Sequence, residues 1–214
     1  MITIVDYGLG NLGSIVNMLR KLGIKCCLTG DPDKVAAAEK LILPGVGAFD
    51  NGMENLQRLG LIEILNARVL HDKVPVLGIC LGAQLMTRRS EEGQLPGLGW
   101  VAADTIRFCS RQAMPDLKVP HMGWTDLSVP GETPLLEKND EQRFYFVHSY
   151  HFLCDRAQDV IAVAHYGYGF TAAFCRGNIF GVQFHPEKSH RFGMALFKRF
   201  AALSVPAVEL PSAA

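Results

Sequence analysis

Through the first 80 positions, short unbroken apolar runs alternate with stretches of helical period. The runs "ITIVDY" (2–7), "KCCLTG" (25–30), "KLILPG" (40–45) and "VPVLGI" (74–79) read as strands. Continuous apolar runs separated by helices belong to parallel strands covered on both faces. Residues 11–22 predict a helix ending at Gly23, the residue type favoured just past a helix end. Asp31 before Pro32 suits a helix cap followed by a first-turn proline. Residues 51–68 predict one further helix, with apolar positions at Met53, Leu56, Leu59, Leu61 and Leu65 that keep the helical period imperfectly.

From position 100 to 173 the pattern changes to short runs punctuated by turn residues, such as "RFYFVHSYHF" and "DVIAVAHYG", which read as antiparallel hairpins or edge strands. "NIFGVQFHPE" resumes a buried strand. A last helix is expected over 189–203, with Phe192, Leu196, Phe200 and Leu203 on one face. The fold class that follows is α/β: three layers, a mostly parallel central sheet with helices on both faces, and a smaller antiparallel sheet. No repeat or linker divides the chain, so residues 1–203 are expected to form a single domain and 204–214 a frayed tail.

Composition narrows the function classes. Of the 214 residues 49% are hydrophobic, enough for one sizeable core. The 21 basic residues balance the 21 acidic ones, and no like-charge run offers a footprint for nucleic acid or an anionic membrane. The first residues carry no basic segment ahead of an apolar one, and no apolar stretch approaches the ~20 residues of a membrane span. The location expected is therefore the cytoplasm. Six cysteines are scattered without a CxxC pair, and seven histidines make no HxxxH, so neither a zinc site nor a disulfide framework is expected. Five of the cysteines read as small buried hydrophobes.

Cys80 is the sixth. In "GICLG" it follows an apolar run with a glycine two residues away on each side, the thiol form of the nucleophile elbow. Such a turn holds the nucleophile in strained backbone angles, lets strand and helix approach at Gly78 and Gly82, and aims the amides of the following helix at the sulfur. The N–H of Leu81 is a candidate oxyanion donor. "LPGVGAFD" follows the third strand, at the same carboxyl edge. The glycines flanking Val46 free the Val46–Gly47 peptide region to supply a second donor. His185 ends a buried strand and Glu187 lies two residues on, so at period two both side chains share a face. A thiol elbow with a base and an orienting carboxylate is the logic of a Cys-His-Glu triad. A competing motif, Gly8-x-Gly10-x-x-Gly13 with Asp31 downstream, matches a dinucleotide fingerprint, but nothing later in the chain supplies hydride-transfer chemistry.

The stretch 78–84, the Pro44–Gly47 loop and His185-Pro186-Glu187 resemble the class I, triad-type glutamine amidotransferases. "DYGLGNLGS", "PHMGW", "FVHSY" and "GVQFHPEKS" narrow the resemblance to the glutaminase subunits of imidazole glycerol phosphate synthases, over residues 5–200. The resemblance implies that Cys80 attacks a glutamine carboxamide, that His185 moves the protons and that Glu187 orients it. It implies an oxyanion hole from Leu81 and Val46–Gly47, and glutamine held by Gln84 and the Ser149–Tyr150 backbone. Tyr145, Lys188 and Trp124 would lie at the ammonia exit or partner face. It implies no cofactor and no metal. It also implies a heterodimer with a (β/α)8 cyclase-type synthase subunit, within histidine biosynthesis. One departure keeps an alternative open. After "PHMGW" the family usually continues with Asn, and here it is Thr125. The segments "HSYHFLCDRAQDVIAVAHYGY" and "EKSHRFGM" are more similar to paralogues that supply ammonia to amidotransferases of surface N-acetyl sugars.

Overall fold

The computed structural model describes residues 1–108, 117–138 and 141–204. The expected strands of the first half form: β1 (Ile2–Val5), β2 (Cys26–Thr29), β3 (Leu41–Leu43) and β4 (Val76–Ile79). Between them run α1 (Leu12–Lys21), the short α2 (Pro32–Ala36), α3 (Phe49–Arg58) and α4 (Leu61–Asn66), and α5 (Leu81–Leu85) follows β4. The second half supplies β5 (Ala103–Arg107), β6 (His121–Ser128), β7 (Arg143–His148), β8 (Tyr150–Cys154), β9 (Val160–Tyr166), β10 (Tyr168–Arg176) and β11 (Ile179–Val182), then α6 (His190–Ala202).

Five strands run parallel in the order β2-β1-β3-β4-β11. Alternate residues of these strands face opposite layers, as the pleat requires. Ile2, Ile4, Ile42, Leu77 and Ile79 pack with α1 and α6. Val5, Leu41, Leu43 and Val76 pack with α3 and α4. Both faces of β1, β3, β4 and β11 are covered, which is why those strands contain almost no polar residue, whereas edge strand β2 is only half-buried. The antiparallel strands are not a separate layer. They continue the same sheet through the β11–β10 pair to β9, β6 and β7, and β8 and β5 branch from β10.

The loops that leave the carboxyl ends of β1, β3, β4 and β11 gather at one edge of the sheet, the place where open α/β sheets build their sites. Asp31 caps α2 as expected, its Oδ1 accepting from the Asp33 N–H at 3.0 Å. The single helix expected over 51–68 is instead two. Gly60, in the left-handed region at φ +66°, ends the first and restarts the chain, so that Leu61 and Leu65 are buried beside Met53 and Leu56 while Leu59 is half-exposed. The broken period between Leu59 and Leu61 is the trace of that restart.

Cys26, Cys27, Cys154 and Cys175 are half-buried rather than buried, and all are free thiols. The first two lie on β2, an edge strand with only one neighbour. Cys109 and the expected tail from 205 onward lie outside the described residues.

Candidate active site

β4 ends at Ile79 and the chain turns sharply at Cys80, whose φ of +52° and ψ of −113° are unusual for a residue with a side chain. Surrounding bonds hold this strain. The Cys80 N–H donates to Val182 O of β11 at 2.8 Å, and its carbonyl accepts from the N–H groups of Ala83 and Gln84, each at 3.1 Å. The glycines on either side are there for space. A Cβ on Gly78 would sit 2.6 Å from Ala83 Cα, and one on Gly82 would sit 1.8 Å from Leu43 O. No atoms other than hydrogens fit at those two points, so the elbow packs directly on the end of β3.

His185 reaches the same place by a different route from the one expected. β11 stops at Val182, and Pro186–Lys188 is a single 3₁₀ turn, so His185 and Glu187 do not share the face of a strand. Past β11 the chain crosses to β7, where the His185 N–H donates to Tyr145 O at 2.9 Å. Ser189 fastens the turn: its hydroxyl donates to His185 O at 2.6 Å and accepts from the Tyr145 N–H at 3.0 Å. The tight turn brings Glu187 Oε1 to 2.8 Å from His185 Nδ1, with both side chains 1% exposed.

That bond fixes the proton on Nδ1 and turns Nε2 toward the pocket. Among the described residues, buried Nε2 makes no regular hydrogen bond, nor does Glu187 Oε2. Burial opposes charge on this imidazole. The Cys80 sulfur and the Glu187 carboxylate on either side outweigh it and push the His185 pKa up to about 10.

The residues border a pocket of about 290 Å³, small as ligand sites go and suited to a molecule of amino-acid size. Of the expected residues, Val46, Gly47, Cys80, Leu81, Gln84, Ser149, Tyr150 and His185 line it. Glu187 lies behind His185. Tyr145, Lys188 and Trp124 do not line the pocket but cluster nearby. Lys188 Nζ stands 5.6 Å from the Tyr145 ring centre, and Trp124 meets the same ring edge-on at 6.2 Å.

Several wall residues escaped sequence reasoning: Glu92, Pro120, Val147 and His148. Gln183 was missed as well. Its Nε2 donates to Cys80 Sγ at 3.6 Å, and its Oε1 accepts from Gln84 Nε2 at 3.1 Å. Gln183 could have been found, since it precedes His185 by one strand period. Glu92 could not, because it sits in an irregular segment without a pattern. Among the described residues no group of three or more His, Cys, Asp or Glu is arranged to hold a metal ion, and no helix is long and apolar enough to cross a membrane.

The competing glycine motif also meets a test. A dinucleotide fingerprint uses its third glycine for close helix–strand packing. A Cβ on Gly13 would meet nothing within 4 Å.

Comparison with known proteins agrees with this geometry. The family model for glutamine amidotransferase class-I matches residues 3–203. The imidazole glycerol phosphate synthase subunit HisH 2 of Pseudomonas aeruginosa is 50% identical over 204 residues, covering 95% of this chain and all of that protein. The protein of the same name from Methanococcus maripaludis is 50% identical over 201 residues, covering 94% of this chain and 98% of its own. Among solved structures, PurLQS from Thermotoga maritima shares the fold, with a TM-score of 0.69 at 21% identity, over 93% of this chain and 96% of that one. A nucleophile elbow at the carboxyl edge of a doubly covered sheet, a buried His–Glu pair beside it and a family match across nearly the whole chain converge: this protein belongs to the class I glutamine amidotransferases.

Proposed function

We propose that this chain is the glutaminase subunit of an imidazole glycerol phosphate synthase, hydrolysing glutamine to glutamate and passing ammonia to a (β/α)8 cyclase subunit in histidine biosynthesis. The observation that carries this reading is half identity along the full length of subunits of that synthase, together with a pocket lined by Cys80 and His185, the latter bonded from behind by Glu187. Residues 1–203 act as one domain, and the enzyme works in the cytoplasm as half of a heterodimer.

In the proposed reaction Cys80 Sγ attacks the carboxamide carbon. The oxygen that gains charge is held by the N–H groups of Leu81 and the Val46–Gly47 region. His185 gives its proton to the departing nitrogen as the C–N bond breaks, leaving a thioester and free ammonia. Water then attacks the thioester, His185 takes the proton, and glutamate leaves with the thiol restored. Glu92 is the one acidic residue on the pocket wall, so it faces the substrate's ammonium group. Ammonia that escaped to water at neutral pH would be protonated and lose its nucleophilic pair. This is why the partner docks over the exit, at Trp124, Tyr145 and Lys188.

Glutamate release by the purified chain tests this, alone and then with a histidine-pathway cyclase subunit and its nucleotide ligand. Strong stimulation by the loaded partner is expected; fast turnover without any partner would overturn the coupled-subunit reading. Thr125, in place of the usual Asn, favours a second reading, in which the same pocket serves a sugar-amidating synthase. Stimulation by that synthase and not by the cyclase would establish it.

The pH profile tests the roles of His185 and Glu187. With its pKa raised to about 10, His185 keeps its proton across the neutral range and loses it as pH climbs through that value. The kcat/KM of the stimulated complex should therefore hold through about pH 9 and fall above it. Glu187→Gln removes one of the two causes of the rise, so its alkaline limb should move to lower pH, with a loss of about a hundredfold in turnover. A wild-type alkaline limb near the ordinary histidine value would reject this account.

A further inference from the structure

His148 of the pocket wall belongs, with His121 behind it, to a pair of buried histidines with no part in the chemistry above. His121 and His148 sit among the rings of Phe108, Phe146, Tyr166 and Phe170. His121 Nδ1 is 2.9 Å from His148 Nε2. The far nitrogen of each ring is also matched: His148 Nδ1 is 2.7 Å from Tyr150 O, and His121 Nε2 is 2.8 Å from Thr125 Oγ1. Burial lowers the pKa of His121 to about 4 and of His148 to about 3, so each ring is neutral at neutral pH and holds one proton.

The place of each proton follows from what its partner can do. The Tyr150 carbonyl only accepts, so His148 carries its proton on Nδ1. His148 Nε2 is then an acceptor, so His121 also carries its proton on Nδ1. That leaves His121 Nε2 accepting, and the Thr125 hydroxyl must donate. The chain of bonds therefore has one direction, from Thr125 inward to the Tyr150 carbonyl, an acceptor shared with the pocket side. The same carbonyl accepts from Gln84 Nε2 at 3.4 Å, Gln84 bonds Gln183, and Gln183 donates to Cys80 Sγ.

We propose that Thr125, His121 and His148 are positioning residues, a one-directional hydrogen-bond relay that fixes the Tyr150 carbonyl and, through it, the Gln84–Gln183 pair beside Cys80. Its role in substrate binding rests on the reading of this pocket as the glutamine site. The outer terminus, Thr125, is half-buried beneath the face of β6 that exposes Met122 and Trp124, 61% and 41% accessible. Two pleats separate positions 121 and 125, too far for a flat strand. Between them Gly123 takes a φ of +139°, a conformation side-chain-bearing residues rarely adopt, and the bend brings the two side chains together.

The relay has a signature that packing alone does not produce. Free neutral histidine favours the proton on Nε2, and here two rings in series carry it on Nδ1. Removing the Thr125 hydroxyl lets His121 return to the Nε2–H form. Its Nδ1 lone pair then faces the Nε2 lone pair of His148, a repulsion relieved when His148 moves its own proton to Nε2 and so gives up the bond that steadies Tyr150 O.

The test pairs nitrogen NMR of the imidazoles in the full-length chain with glutamine kinetics of the synthase complex, for wild type, Thr125→Val and Thr125→Ser. Wild type is expected to show neutral, Nδ1-protonated His121 and His148. Thr125→Val is expected to move His121 to the Nε2–H form and raise the KM for glutamine about tenfold, with a smaller change in kcat. Thr125→Ser, which keeps the donor, should restore both. Protonated or Nε2–H rings in wild type would overturn the relay, as would a Thr125→Val chain with tautomer and KM unchanged. The NMR needs no turnover. The expected tautomers in a chain whose complex never consumes glutamine would sink the substrate assignment and leave the relay standing.

Discussion

Cys80→Ala is expected to abolish glutamine-dependent synthesis by the complex while leaving synthesis from added ammonium salt near the wild-type rate. The expected loss on the first substrate is about 10⁴-fold or more, because removing the nucleophile of a triad leaves only binding and oxyanion stabilisation. The second rate should survive because nothing in this chain's chemistry beyond ammonia release is needed once ammonia is supplied. The substitution itself is mild: Cys80 is buried, and its main-chain bonds to Val182, Ala83 and Gln84 do not involve the sulfur. Thermal unfolding should therefore change little, apart from the lost Gln183 contact. Parallel loss of both activities would mean that the chain does more than deliver ammonia, and retention of both would remove Cys80 from the mechanism.

The parallel half of the fold was legible because its strands are buried on both faces and so advertise themselves as apolar runs. The elbow was legible for a related reason. Gly78 and Gly82 stand where any side chain would meet backbone, so the fold leaves its mark on the sequence itself. The His185–Glu187 contact was legible in its outcome but not in its cause. Spacing by two suits a strand, yet a 3₁₀ turn anchored by Ser189 makes the contact. The continuation of one sheet through β10 into the antiparallel strands was not legible, since pairing between distant segments leaves no local pattern. Nor was the His121–His148 pair. Each of these histidines sits in a short run that reads the same whether its side chain is a core filler or a hydrogen-bonding partner, and only the β6–β7 register, His121 opposite His148, brings them together.

Gly82→Ala is expected to be among the most damaging single substitutions for the fold of the site. The added methyl would lie 1.8 Å from Leu43 O, 2.7 Å from Leu43 C and 3.0 Å from Pro44 C, all backbone atoms at the end of β3 that no side-chain rotation can move aside. Either β3 or the elbow must shift. Overpacking of a tight interior costs about 1–3 kcal/mol and occasionally more, and a clash with backbone falls at or above the upper end. For a chain of this size about 3 kcal/mol corresponds to a fall of roughly 6–12 °C in Tm. Activity should fall further than stability alone explains, because the movement displaces Cys80, whose strained φ depends on the same packing. Gly13→Ala is the matched control. Its Cβ would meet nothing within 4 Å, and Gly13 is exposed in α1, so the gain in helix propensity should leave Tm unchanged or slightly raised. Circular-dichroism melting of the two variants, with glutamine turnover in the complex, reads both effects. Equal Tm values for the two alanines would show that the elbow can yield at Gly82, and the account of why this turn requires glycine would then be wrong.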